Sequence, residues 1–159
     1  MRPMPTLRPA VPEDEERLLR WRNEPSTRAA SFTRDVISAK EHHRWLTGKL
    51  SSPSCALLII EEQGRAVGQV RLDRVDPATA DISIGLASNA RGRGLGRDAL
   101  RLAVAEASRL LGVTAVRAFV KHDNRASLRA FGAAGFSVVG DDGSSFELLC
   151  RPGSGDQPT

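Results

Sequence analysis

Apolar and polar positions change their period several times along this chain. Leu7 to Ala10 form a short block that predicts a first strand. Pro12 then suits a helix start, the acidic run Glu13 to Glu16 complements the positive helix end, and Pro25 marks the stop. Ser38 and Glu41 have capping-box spacing, and Trp45, Leu46 and Leu50 supply an apolar stripe for a second helix. Three extended blocks follow, Cys55 to Ile60, Ala66 to Leu72 and Ala80 to Leu86, with turn signals at Gln63-Gly64 and Asp76-Pro77. Short turns between consecutive strands predict an antiparallel meander. After Gly96 the period becomes helical: Leu100, Val104, Ala107 and Leu111 share a face, and Gly112 can cap its end. Val113 to Val120 predicts another strand. Asn124 can cap a short helix carrying Leu128, Phe131 and Ala134, and Phe136 to Val139 with Phe146 to Leu149 predict a last hairpin. The order is β-α-α-β-β-β-α-β-α-β-β, an α/β chain with a mixed central sheet of about seven strands and about four helices.

At 159 residues the chain suits one domain, expected over 1–150, with a polar, disordered tail over 151–159. No apolar run is long enough to span a bilayer, and Met1 to Pro5 lack a secretory stretch, so a cytoplasmic protein is expected. Cys55 and Cys150 lie far apart and read as two buried thiols. The pair His42 and His43 has no further ligands at metal spacing, so no metal site is expected. The net charge of +4 comes mostly from arginines, while aromatics make up only 4%. That balance supplies no base-stacking platform and favours an anionic small molecule over a nucleic acid.

The segment Arg91-Gly92-Arg93-Gly94-Leu95-Gly96-Arg97 joins a strand to a helix. Its glycines permit a tight turn and close approach of a ligand. Its end opens onto a helix N-terminus with unpartnered N–H groups. With three arginines, these are the parts of a polyphosphate cradle. The terminal Lys-Ser/Thr of a P-loop is missing. Gly94 to Ala99 fits a loose dinucleotide pattern, but that fingerprint belongs after the first strand of a repeated half.

Arg91-Gly92-Arg93-Gly94-Leu95-Gly96 resembles the Q/R-x-x-G-x-G/A signature of the GNAT N-acetyltransferases. Asn124 to Phe131, followed by Gly135-Phe136, resembles their downstream asparagine helix and strand. The resemblance implies a single-domain GNAT fold with acetyl-coenzyme A as cosubstrate. The backbone from Arg91 through Arg93, Gly94, Leu95 and Gly96 to Arg97 would hold the pyrophosphate. Strand Ile82 to Leu86 would splay from Val116 to Val120. Backbone groups from Ile84 to Leu86 would pair with the pantetheine arm, and Asn124 would contact it. Phe131 stands on the coenzyme side, where many relatives carry a tyrosine acid.

The implied reaction is direct attack of an amine on the thioester. Candidates for the base are Glu61, Asp73, Asp81 and His42, the last two being preferred, with His42 expected on a helix surface. Ser127 or a water would replace the missing tyrosine as acid. The strings Trp21-Arg22-Asn23-Glu24-Pro25 and Glu41-His42-His43-Arg44-Trp45 are similar to those of GNATs acting on amino-sugar nucleotides, and to ribosomal-protein N-terminal acetyltransferases. The acceptor is thus a small-molecule or peptide amine. The resemblance allows a homodimer, and a coenzyme-binding module without catalysis remains an alternative.

Overall fold

The structure, a computed structural model, describes residues 4–33 and 35–152. The expected tail lies outside the described residues from 153 onward. Seven strands form one mixed sheet in the order β1-β2-β3-β4-β5-β7-β6. They are β1 (Thr6–Pro9), β2 (Cys55–Glu62), β3 (Arg65–Asp76), β4 (Thr79–Leu86), β5 (Ala115–Lys121), β6 (Ser137–Asp141) and β7 (Ser145–Cys150). The meander β2-β3-β4 is antiparallel, as the short turns required, and the Gln63-Gly64 turn takes positive φ at both residues. Among the described residues only β4 and β5 run parallel.

Among the described residues five α-helices join these strands: α1 (Glu15–Asn23), α2 (Pro25–Ala30), α3 (Ala39–Ser51), α4 (Leu95–Leu111) and α5 (Arg125–Ala133). α2 was not expected. Pro25 does end α1, but its fixed φ also makes it the first residue of a six-residue helix. Ser38 caps α3 as its spacing predicted, its Oγ accepting from Glu41 N–H at 3.1 Å. β5 begins two residues later than expected, because Val113 and Thr114 turn out of Gly112, which closes α4 at φ 67°.

The two sheet faces carry separate cores. Leu95, Leu100, Ala103, Val104 and Ala107 of α4 pack on Val70, Leu72, Ile82, Val116 and Ala118. On the other face Leu18, Trp21 and Leu46 cover Leu57 and Ile59. Alternation along β2 sends Leu58 and Ile60 to the first core and Leu57 and Ile59 to the second. A buried ion cluster fastens the chain start: Asp14, 2% exposed, accepts from Arg8 at 2.8 Å and Arg17 at 3.0 Å. Among the described residues no helix is long and apolar enough to cross a membrane. Cys150 is buried, while Cys55 is only half-buried.

Candidate active site

The site grows from a break in the sheet. β4 and β5 pair only through Thr79↔Ala115, Ala80↔Val116 and Asp81↔Arg117. Beyond that point β4 stays with β3 as far as Leu86, and β5 stays with β7 as far as Lys121. The two arms therefore diverge, each held by its outer neighbour, and the inner edge of Ile82 to Leu86 is left without a strand partner. Because the arms are parallel, both carboxyl ends open on the same side, and each leads into a helix N-terminus. Ligand crevices form at such division points.

The first of these helix ends is α4. A short 3-10 turn, Ser88–Ala90, delivers the chain to Gly92 and Gly94, whose φ values are 79° and 78°. Side chains with a Cβ rarely adopt that conformation. The first helical bond runs from Asp98 N–H to Gly94 O at 3.3 Å. Helix geometry thus leaves the N–H groups of Leu95, Gly96 and Arg97 without intrahelical acceptors, at the positive end of the dipole. Buried Leu95 anchors this turn from below. The position a Gly96 Cβ would occupy stands 3.5 Å from Ala130, so α5 lies against the same turn.

The three arginines of the loop are engaged with protein groups. Arg91 donates to Leu86 O at 3.2 Å, Ser26 Oγ at 2.7 Å and Thr27 Oγ1 at 3.2 Å. Arg93 pairs with Glu62 at 2.9 Å, and Arg97 with buried Asp98 at 3.2 Å. Their charge thus lies beside the helix N-terminus that leaves the first-turn amides of α4 without intrahelical acceptors.

At the second helix end Asn124 caps α5, its Oδ1 accepting from Ser127 N–H at 3.2 Å. Ser127 is half-buried in the same first turn. Phe131 departs from the coenzyme-side expectation. It is 2% exposed and packs edge-on against Phe136 at 4.9 Å, so it belongs to the core. The helical stripe of Leu128, Phe131 and Ala134 carried that signal.

The base candidates are distributed unequally. Both oxygens of Asp81 are held by Arg117, at 2.7 and 3.1 Å. Asp73 bonds Lys49 at 2.7 Å and Arg71 at 2.8 Å. Burial pushes the Asp73 carboxyl up, but these two cations outweigh it and hold it below the usual carboxylate range. Glu61 pairs with Arg8 at 3.0 Å. His42 corrects the expectation of a surface position: it is 3% exposed. His43 is the exposed member of that pair and meets Glu15.

Residues 24–33 and 35–37 form a strap that sequence reasoning missed. Arg22 holds Thr33 O at 3.0 Å, and Asn23 bonds both the N–H and the C=O of Ile37 at 2.8 Å. Lys121, at the end of β5, donates to Ala29 O at 3.3 Å. Arg91 ties α2 from the other arm. The strap thus crosses the fork side of the sheet, fixed to both arms. A cavity of about 360 Å³ opens beside it, lined by Phe32, Lys121, His122, Asp123, Gly143 and Ser144. The visible sequence clue was the donor-rich Arg22-Asn23 pair.

Comparison with known proteins decides the family. The model of the acetyltransferase (GNAT) domain matches residues 6–137. The chain belongs to the GNAT acetyltransferase family. Solved structures share the GNAT fold at low identity. Spermidine N-acetyltransferase from Vibrio cholerae, in complex with CoA and spermine, is 17% identical with a TM-score of 0.84, covering 94% of this chain and 96% of that one. AAC(6')-Ib, in complex with paromomycin and acetyl-CoA, is 20% identical with a TM-score of 0.80, covering 93% of each chain. The protein yncA from Salmonella typhimurium, with its cofactor acetyl-CoA, is 21% identical with a TM-score of 0.77, covering 98% of each. No curated protein matches the chain.

Proposed function

We propose that this GNAT protein transfers an acetyl group from acetyl-coenzyme A to the primary amine of a small molecule. The observation that carries the reading is the fork that opens beyond Asp81↔Arg117, with two helix N-termini at its mouth. Acetyl-coenzyme A supplies the activated acyl group as a thioester. The chain's groups fit it: free first-turn amides of α4 meet the pyrophosphate, and the unpaired inner edge of Ile84 to Leu86 meets the pantetheine arm. An N–H on that edge donates to the carbonyl oxygen as negative charge develops there. Asn124 NH2 contacts the arm, with its Oδ1 kept for the helix cap. Holding both reactants in one cleft removes much of the entropic cost of their encounter.

The departing thiolate needs only a weak acid, since thiols ionise near pH 8.5. Ser127 or a water at the α5 mouth supplies that proton in place of a tyrosine. A small acceptor is favoured over a peptide because the strap of residues 24–33 and 35–37 walls the acceptor side, whereas a peptide needs an open groove. Spermine and paromomycin, present in two of the similar structures, are small amines.

Calorimetry with acetyl-coenzyme A, followed by thiol release against polyamines, aminoglycosides, amino sugars and N-terminal peptides, tests this. Turnover with a small amine is expected. Turnover with peptides alone reverses the acceptor choice, heat without any turnover reduces the chain to a binding module, and no heat overturns the reading.

A further inference from the structure

β5 ends at Lys121, and the next residue, His122, stands where that arm of the fork opens. Its backbone N–H donates to Ser144 O at 3.1 Å, which fixes its place beside the turn between β6 and β7. Two contacts orient its ring: Nε2 meets Asp141 Oδ1 at 2.6 Å, and the ring centre lies 4.2 Å from that of Phe146. Asp141 is fixed in turn, because the same oxygen accepts the Gly143 N–H at 2.9 Å. An ionised carboxylate only accepts, so the shared proton sits on Nε2 and the lone pair on Nδ1. Nδ1 has no hydrogen-bond partner among the described residues. The side chains of His122 and Asp141 are 37% and 45% exposed, where such a pair adds little stability. The dyad is well positioned for a task other than holding the fold.

The ring is also within reach of a small molecule. With Phe32, Lys121 and Asp123 it lines the cavity of about 360 Å³ beside the strap. The strap sets that cavity against the fork. Arg91 joins Leu86 O, at the end of β4, to Ser26, and Lys121 joins the end of β5 to Ala29. Ser26 and Ala29 lie on one short helix, about 4.5 Å apart along its axis. The two strand ends are therefore linked by two side chains and less than one helical turn, and the cavity lies at the β5 end of that link.

We propose that the acceptor amine enters this cavity and that His122, held by Asp141, takes the proton its ammonium group loses before attack. This rests on the acetyltransferase reading. The candidates read from the sequence lack the same combination of freedom and access: Asp81, Asp73 and Glu61 are held in ion pairs, and His42 is 3% exposed. The ammonium gives one proton to His122 Nδ1, and the Asp141 carboxylate stabilises the imidazolium. The neutral amine then forms the C–N bond as the C–S bond breaks. Its second proton goes to the departing thiolate, and the imidazolium releases its own to solvent. Asp141 is a positioning residue, since it acts through the ring. The charged groups around the ring are Asp141 from β6, Lys121 and Asp123 from the end of β5, and Asp142 in the turn, which the Ser144 and Ser145 N–H groups hold down at about 2. Among these side-chain types only an imidazole ordinarily changes charge between about pH 5 and 8.

The test compares kcat against pH for the whole chain and for His122→Gln, using the amine of the panel that turns over fastest. Wild type should lose kcat along an acid limb between about pH 5 and 8. His122→Gln should lose about 100-fold in kcat and lack that limb, with acetyl-coenzyme A affinity within about two-fold of wild type. A variant that keeps the limb overturns the role of His122 alone, whether its rate is kept or lost, because a lost rate with the limb intact marks a structural pin. Wild type that binds no acetyl-coenzyme A, or binds it and turns over no amine, overturns the underlying reading instead. If His122→Gln does not fold, NMR of the wild-type ring decides. Its Cε1–H signal should shift when the amine is added to the coenzyme A complex, and a signal indifferent to the amine overturns the role.

Discussion

Arg117 occupies both carboxylate oxygens of Asp81 at the last residue pair that β4 and β5 share. The pair works as a rivet where the sheet divides. Its side chains are about one-third exposed, so its contribution to stability is small, about 0.5 kcal/mol. Its effect should fall on the fork instead. Arg117→Leu is expected to raise the acetyl-coenzyme A dissociation constant several-fold in calorimetry while leaving the melting temperature within a few degrees. Asp81→Asn should keep kcat within about three-fold, because a carboxylate held by a guanidinium at both oxygens is not the base. A 100-fold loss in Asp81→Asn would return the base to that position.

Gly94 sets the direction in which α4 presents its first amides. At φ 78° an L side chain costs about 1–2 kcal/mol, and a carboxylate adds repulsion toward a pyrophosphate. Gly94→Ala should weaken acetyl-coenzyme A binding by about ten-fold, and Gly94→Glu by more. Equal affinity in wild type and Gly94→Glu would remove the loop from the coenzyme site.

Gly68 explains how β3 and β4 fit together at the thioester segment. A methyl group there would overlap the Gly85 carbonyl oxygen and crowd Leu86. The Gly85 oxygen and the Leu86 Cα belong to the backbone and cannot swing away, although the Leu86 Cδ2 can. Gly68→Ala should lower stability by about 2 kcal/mol in urea unfolding and depress turnover beyond what partial unfolding accounts for. Unchanged activity would mean that the β4 segment tolerates a shift.

Much of this arrangement was legible in the residues. The period of Leu100, Val104, Ala107 and Leu111 gave α4 and its core, because a helix packed on a sheet needs a continuous apolar stripe. Gly92 and Gly94 marked the two positive-φ positions of the loop before α4. α2 was not legible, because none of its residues is buried and it is held by Arg91 and Lys121 from distant elements. The Asp81–Arg117 partnership joins residues 36 positions apart, which no local pattern reveals. His42 and His43 are neighbours of identical chemistry, and only the angle at which α3 meets the sheet buries the first and exposes the second.

The chain start should be the acid-sensitive part of the molecule. Asp14 is 2% exposed, and its carboxyl is held below the usual range chiefly by the Arg8 side chain, against the opposing effect of burial, with help from the Val11 N–H and Arg17. A carboxylate with a depressed folded-state pKa adds stability that is fully present above its unfolded value of about 3.9, and that is lost as pH falls through the lower folded value. Wild type should therefore lose stability below about pH 4 more steeply than Asp14→Asn, whose stability is lower at pH 7 and flatter with pH. Arg8→Ala leaves Asp14 buried beside Arg17 alone and should cost about 3 kcal/mol at pH 7. Urea midpoints measured from pH 3 to 7 for the three proteins check this. Parallel pH profiles for wild type and Asp14→Asn would mean that the strand β1 anchor does not depend on the charge of that carboxylate.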